Sequence, residues 1–464
     1  MLNRFRQRYI GDKAFYKMVF AIVVPIIIQN TVANFVNLLD NVMVGRMGTE
    51  QMSGVSVANQ LMFVFNLCIF GGLSGAGIFT AQYYGAKDHE GVRYTFRFKL
   101  YTALFVLAAA YIIFFCAAPQ LIGLYLTEDA SGDAAATLQY GLQYLHVMYF
   151  GMVPFALSQC YAGTLRETGE TVVPMKASVV EVFLNLCLNY VLIFGKFGMP
   201  AMGVRGAALA TVISRYAGLI ILAVYTHRNH ARHPFIKGAY TSPYIPKHLA
   251  VDIFKKGMPL LANEALWSLG STTLVQKYSQ RGLMVVAALN ISSTISNMFN
   301  VMFMTMGNAV AILVGQALGA NDPEKAKDYV RKLTAFSTMT CLVMGAVLIA
   351  CSGLLPLLYN TTPDVRALAT KFLITAACLM PAFSFANCFY FTLRSGGKTM
   401  ITFVYDCVFS WLVMIPVAHV LVAYTGLPIT VIYPICQGTE IIKAVIGYIM
   451  VKRGVWINNI VGAR

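Results

Sequence analysis

The sequence predicts an all-α polytopic membrane protein, with 12 transmembrane helices as two six-helix bundles related by a pseudo-twofold axis along the membrane normal. Three observations predict it. Of 464 residues, 58% are hydrophobic and 12% charged, about half the charged fraction of a soluble chain. Apolar runs long enough to cross about 30 Å of hydrocarbon recur along the whole length. The chain also repeats itself. QYYGAKDHE (82–90) returns as QALGANDPE (316–324) at an offset of 234, and CYAGTLRETGET (160–171) as CFYFTLRSGGKT (388–399) at an offset of 228. The shared residues are polar loop residues, not the Leu and Ala that greasy helices share by chance. Each repeat holds six spans, an even number, so both halves enter the membrane in the same sense.

The spans follow in order. The first, 15–44, has Pro25 as a bend point and Asn30, Asn34, Asn37 and Asn41 along one helical face. Asp40 sits beside that stripe, one turn from Asn37. The second, 52–80, carries Ser56, Asn59 and Asn66, and Gly71-xxx-Gly75 for close packing. The third is 94–118; the fourth, 136–165, bends at Pro154. The fifth, 171–194, steps Glu181, Asn185 and Asn189 by four residues; the sixth is 201–226. The polar, basic stretch HRNHARHPFIKGAYTSPYIPKH then divides the chain into an N-lobe (1–226), a cytoplasmic linker (227–249) and a C-lobe (250–464). The seventh span, 250–280, holds Pro259 and Glu264; the eighth, 283–317, holds Asn290, Ser293, Asn297 and Asn300. The ninth is 330–358; the tenth, 366–393, bends at Pro381. The eleventh, 399–424, holds Asp406, and the twelfth, 428–450, holds Glu440 with Lys443 three residues on, a structural pair.

The net charge of +16 is a topology signal, because the basic residues lie in the gaps between spans. With the N-terminus inside, 28 of the 35 Lys and Arg fall on the inner side. Both termini are therefore expected in the cytoplasm of a cell-membrane protein, and the acidic loop TEDASGD (127–133) outside. A nucleic-acid partner is not expected, since no basic patch has interleaved aromatics. The ten Cys read as small buried hydrophobes. His227, His230 and His233 read as part of a basic linker and not as metal ligands. No cleaved signal peptide is expected. Walker A, Rossmann, HExxH and GxSxG motifs are absent from the sequence, so energy must come from an ion gradient or the substrate's own gradient.

Charges at membrane depth are costly and usually face a bundle interior or water. Asp40, Glu181, Glu264 and Asp406 qualify. Asp40 has no Lys or Arg nearby on its own helix and so calls for water, a proton or a cation. The candidate ion-coupling residues are Asp40, Glu264 and Asp406. The candidate cavity-lining residues are Asn34, Asn37, Asn41, Asn59, Asn66, Glu181, Asn185, Asn189, Asn297 and Asn300. The halves are unequal here: at the offset of 234, Asp40 maps to Leu274 and Glu264 to Asn30.

Over essentially the whole chain these residues resemble the MATE (multidrug and toxic compound extrusion) transporters, including the bacterial NorM- and DinF-like members. The carriers are LLDNVMVGRMG, QYYGAKD, QALGAND, GTLRETGET, TLRSGGKT, the run 188–214 and the C-terminal VKRGVWINN. The resemblance implies two six-helix lobes forming a V, and export of organic cations in exchange for H⁺ or Na⁺. It places Asp40 on the first-span carboxylate linked to cation coupling, and Asn185 and Asn189 on polar fifth-span positions. Glu264 lies near the C-lobe Glu of the Na⁺-coupled members, whose tenth-span acid has no match here.

The expected function is a secondary antiporter of small cationic amphiphilic substrates. It would be a monomer in the lipid bilayer, not an enzyme, with no cofactor beyond the coupling ion, H⁺ or Na⁺. The alternative is a lipid-linked oligosaccharide or lipid-precursor flippase, which needs a basic cavity. An intramembrane enzyme would need paired catalytic groups, and only His146 and His419 could join the carboxylates.

Overall fold

The computed structural model describes residues 8–125 and 133–462, less the side chains of 36–38, 41, 42 and 49. Among them are twelve long helices: α1 (Lys13–Gly45), α2 (Thr49–Gly85), α3 (His89–Gly123), α4 (Ala134–Glu167), α5 (Val172–Phe194), α6 (Gly203–Arg228), α7 (Lys247–Ser279), α8 (Leu283–Gly319), α9 (Pro323–Cys351), α10 (Pro363–Ser395), α11 (Thr399–Tyr424) and α12 (Ile429–Lys452). Ten are long and apolar enough to cross a membrane on length and composition alone; α4 and α7 are more polar. The acidic loop lies largely outside the described residues.

Local chemistry sets the helix ends. Asp12 accepts from Phe15 N at 2.8 Å to open α1. Asp133 accepts from Ala135 N and Ala136 N at 2.9 and 3.1 Å to open α4. Asp322 accepts from Lys325 N at 3.0 Å to open α9, with Pro323 in its first turn. Each bond satisfies an amide that has no partner inside the helix. The ninth apolar run extends to 358, but its helix stops at Cys351 and a short 3₁₀ turn over Leu355–Leu358 follows. Ser352-Gly353 and Pro356 break it, because Pro supplies no amide and Gly weakens a helix.

The chain divides into two compact units. One comprises residues 24–80 and 89–253; the other comprises 1–23, 81–88 and 254–464. In the first unit α4 packs on α3 and α6, and α5 packs on α6. Ile69, Phe79, Phe96, Leu145, Met148 and Met152 are fully buried there. Lys99 is buried too, paired with Glu167 and donating to Thr164 Oγ1 at 3.1 Å. The linker packs within this unit as an ordered cap. Arg97 on α3 donates to the carbonyls of Gly238, Ala239 and Tyr244 at 2.6–2.9 Å. Phe235, Ile236 and Ala239 are buried beneath that clamp.

In the second unit α10 is central, packed against α8, α9 and α12. The C-terminal segment folds back over it. Trp456 is almost wholly buried and donates to Val451 O at 3.1 Å. Gln82 binds the strap on both sides: its Nε2 donates to Ser395 O and Asn458 O, and its Oε1 accepts from Ile460 N at 2.9 Å.

Large apolar side chains such as Phe105, Phe115, Phe150, Phe183 and Leu412 are exposed. A protein in water would not leave so many uncovered; lipid accepts them. Among the described residues the structure is an all-α, multi-pass membrane fold of twelve long helices.

Candidate functional site

In the first unit, α1, α4, α5 and α6 enclose a cavity of about 300 Å³. Asp40 lies on its wall, as do Glu181 and Asn185. Asn189 Nδ2 donates to Asp40 Oδ1 at 2.6 Å. With its amide turned to satisfy both neighbours, Asn185 donates to both Asp40 oxygens at 3.1 Å and accepts from Thr211 Oγ1 at 3.2 Å. The four-residue step along α5 stacks the two amides on one face, so both reach one carboxylate. Among the described residues no Lys or Arg forms an ion pair with Asp40. Two neutral donors thus hold its charge, and they leave room for a proton or a cation.

The sequence reading missed the cavity's cations. Arg166 from α4 and Arg215 from α6 both line it. Arg215 lies 4.9 Å above the Phe155 ring and donates to Gly151 O at 3.2 Å. Glu181 faces Arg215 and reaches α6 because residue 218 is Gly: a Cβ there would lie 2.7 Å from its carboxylate. Tyr144, buried on α4, approaches Thr211 and Asn59. A usable signal was in the repeat, since Arg166 and Arg394 are the shared Arg of the TLR motif.

The remaining predicted residues scatter. Asn34, Asn59 and Asn297 are exposed, Asn66 and Asn300 half-buried, and none lines this cavity. The side chains of Asn37 and Asn41 lie outside the described residues.

In the second unit Asp406 already has a cation partner. Lys443 Nζ donates to its Oδ1 at 2.9 Å and to Glu440 Oε1 at 3.0 Å, while Asn263 Nδ2 donates to its Oδ2 at 3.1 Å. The sequence reading paired Lys443 with Glu440 alone and left Asp406 as an open coupling group. The third partner was hidden because α11 widens into π-helical turns over Val404–Val408 and Ser410–Met414, which alters the register of its side chains. Glu264 lies in the field of Arg394 and Asp406, and Tyr390 also meets Arg394.

The two half-sites use the same repeat positions. At the offset of 228, Tyr390, Arg394, Asp406 and Lys443 correspond to Ala162, Arg166, Ser178 and Arg215; at 234, Asn263 corresponds to Gln29. All five of the latter line the first unit's cavity. Where the C-terminal half has Tyr and Asp, the N-terminal half has Ala and Ser, and a void remains.

Residues 25–191 and 259–420 match the MatE family, one block in each repeat. The chain belongs to the MatE family. Members of this family are transporters and not enzymes. This MatE transporter is similar to "Probable multidrug resistance protein YoeA" of Bacillus subtilis (strain 168), with 27% identity over 88% of this chain and 87% of the relative. It shares its fold with a solved structure described as MATE in the bent conformation, at 20% identity and TM-score 0.84, covering 95% of each chain. It also shares the fold of a MOP superfamily transporter from Pyrococcus furiosus Vc1, at 19% identity and TM-score 0.81, covering 95% of each chain. That protein is described as having a binding pocket of reverse polarity that suggests a different function.

Proposed function

We propose that this MatE transporter is a secondary antiporter that exports small amphiphilic organic cations in exchange for H⁺ or Na⁺. It works in the cell membrane as a monomer with both termini in the cytoplasm, its two halves acting as lobes. One observation carries the reading: the Asp40 carboxylate faces a cavity and is held by amides, with no ion-paired Lys or Arg among the described residues. A carboxylate so placed is discharged by an incoming proton or Na⁺. Losing its charge loosens Asn185 and Asn189, which are then free to repack α1 against α5. The gradient supplies about 2.3 kcal/mol per charge per 100 mV and about 1.4 kcal/mol per pH unit. The names of the multidrug-resistance relatives support the substrate class. The test is export by proteoliposomes under imposed H⁺ or Na⁺ gradients, on a panel of cations. Asp40→Asn should abolish gradient-driven export while folding and expression persist; full export by that variant would overturn the reading.

A second reading, a flippase of anionic lipid-linked precursors, is favoured by Arg166 and Arg215 in the same cavity. Their two charges offset those of Asp40 and Glu181, so the cavity is not purely acidic. Transbilayer movement of a lipid-linked sugar phosphate, lost in Arg166→Gln, would favour it.

A further inference from the structure

The second unit holds another cavity, of about 290 Å³, which no step above uses. Four cations line it: Arg8 before α1, Lys327 and Arg331 near the start of α9, and Lys452 at the end of α12. They come from one end of three helices, the end read above as cytoplasmic. Among the described residues no Asp or Glu lines the cavity. The carboxylate in reach, Glu324, binds Lys327 at 2.7 Å from an exposed position. Arg331 Nε is buried and has no hydrogen-bond partner among the described residues. A buried guanidinium nitrogen without an acceptor is costly unless a ligand supplies one. The rest of the wall is largely apolar. Phe389, Tyr448 and Trp456 belong to it, and Lys452 lies 5.9 Å from the centre of the Tyr448 ring.

We propose that this cavity binds an anionic phospholipid, with the headgroup phosphate on Arg331 and its neighbouring cations and the upper acyl chain along Phe389, Tyr448 and Trp456. The charge pattern demands an anion, and the aromatic wall beside exposed helix faces admits a chain from the bilayer. At about 30 Å³ per water, the cavity has room for roughly ten waters, enough for a headgroup and the first methylenes but not for a whole lipid. Basic pockets between transmembrane helices on the cytoplasmic side recognise phosphate headgroups by this chemistry. The lipid would then brace the C-terminal strap, because Trp456 and Ile457 belong to both.

The test leaves Trp456 as the sole tryptophan, with Trp267→Phe and Trp411→Phe. Dibrominated phosphatidylglycerol in mixed micelles should quench Trp456 saturably, dibrominated phosphatidylcholine should not, and inorganic phosphate should fail to relieve the quenching. Arg331→Gln with Lys452→Gln should weaken binding about 25-fold, roughly fivefold per cation removed. Lys237→Gln with Lys247→Gln removes the same charge from the exposed linker region and should change nothing. Equal quenching by phosphatidylcholine, or unchanged affinity in the Arg331/Lys452 variant, would overturn the proposal. Equal weakening in the control pair would also overturn it, as bulk attraction, and relief by inorganic phosphate would assign the site to free phosphate. If the tryptophan-reduced chain does not fold, native mass spectrometry of the unmodified chain, counting bound phosphatidylglycerol against phosphatidylcholine, reads the same outcomes.

Discussion

Asp40 depends on two amides, and each can be tested alone. Asn189→Leu removes a 2.6 Å donor from a carboxylate in a half-buried site. A hydrogen bond to a charged group is worth about 1.5–3 kcal/mol, so export should fall about ten- to hundredfold while purification yield holds. Initial rates in proteoliposomes check this, and a wild-type rate would mean the amide only fills space. A second titrating residue lies outside the spans. Burial among linker side chains pushes the His233 imidazole below its ordinary value of 6.5, with Tyr225 and Phe235 rings beside it. The folded linker then binds fewer protons than an undocked one below about pH 6.5, so docking weakens as pH falls. Protection factors of residues 229–246, corrected for the intrinsic pH dependence of amide exchange, should fall between pH 7.5 and 5.5, and His233→Phe should flatten that dependence.

At the scale of elements, the ends of α2 and α8 meet in a reciprocal contact. A Cβ on Gly85 would strike the Gln316 carbonyl, and one on Gly319 would strike the Gln82 carbonyl. Both obstacles are backbone and cannot rotate away. Gly85→Ala and Gly319→Ala should each cost about 1–3 kcal/mol. The double variant should cost less than the sum, since one separation of the helices relieves both clashes; melting in detergent decides. This crossing was half legible in the sequence: the repeat paired the two glycines, but nothing in it brought the helices together. Helix positions were legible apart from the ninth, whose apolar run outlasts its helix, because apolar length and Pro or Gly punctuation act locally. The Asp406–Lys443 contact was not, because a π-turn alters side-chain register without leaving a pattern in residue type. That contact predicts a stability effect. Lys443→Met strands one buried and one half-buried carboxylate and should lower stability by about 3–5 kcal/mol. Adding Asp406→Asn and Glu440→Gln should restore most of it, as read by the melting temperature.

At the scale of the whole molecule, duplication gave both halves one polar site, and substitution then made the two sites unlike. The C-terminal site carries its own cation, Lys443, bonded to Asp406 and Glu440, and Tyr390 occupies the position of Ala162. Both carboxylates there are bonded to that one fixed cation, so a coupling ion would have to displace Lys443 to reach them. The N-terminal site keeps a cavity because Ala162 and Ser178 are small, and it adds Asp40, whose repeat partner is Leu274. On the antiport reading proposed above, the C-terminal half would be the fixed body and the N-terminal half the one that exchanges ions. The asymmetry can be reversed on paper and tried in practice. Ala162→Tyr with Ser178→Asp gives the N-terminal site the C-terminal residues, with Arg215 standing where Lys443 stands. The phenol should fill the cavity and the new carboxylate should pair with Arg215. Gradient-driven export should fall at least tenfold, while the melting temperature stays near that of the parent chain because the added groups are packed and paired. Tyr390→Ala with Asp406→Ser, made alone, should leave Asp40-dependent coupling in place at reduced stability. Undiminished export by the filled variant would show that the N-terminal cavity is not where ions and substrate are exchanged, and the division of labour between the halves would have to be abandoned.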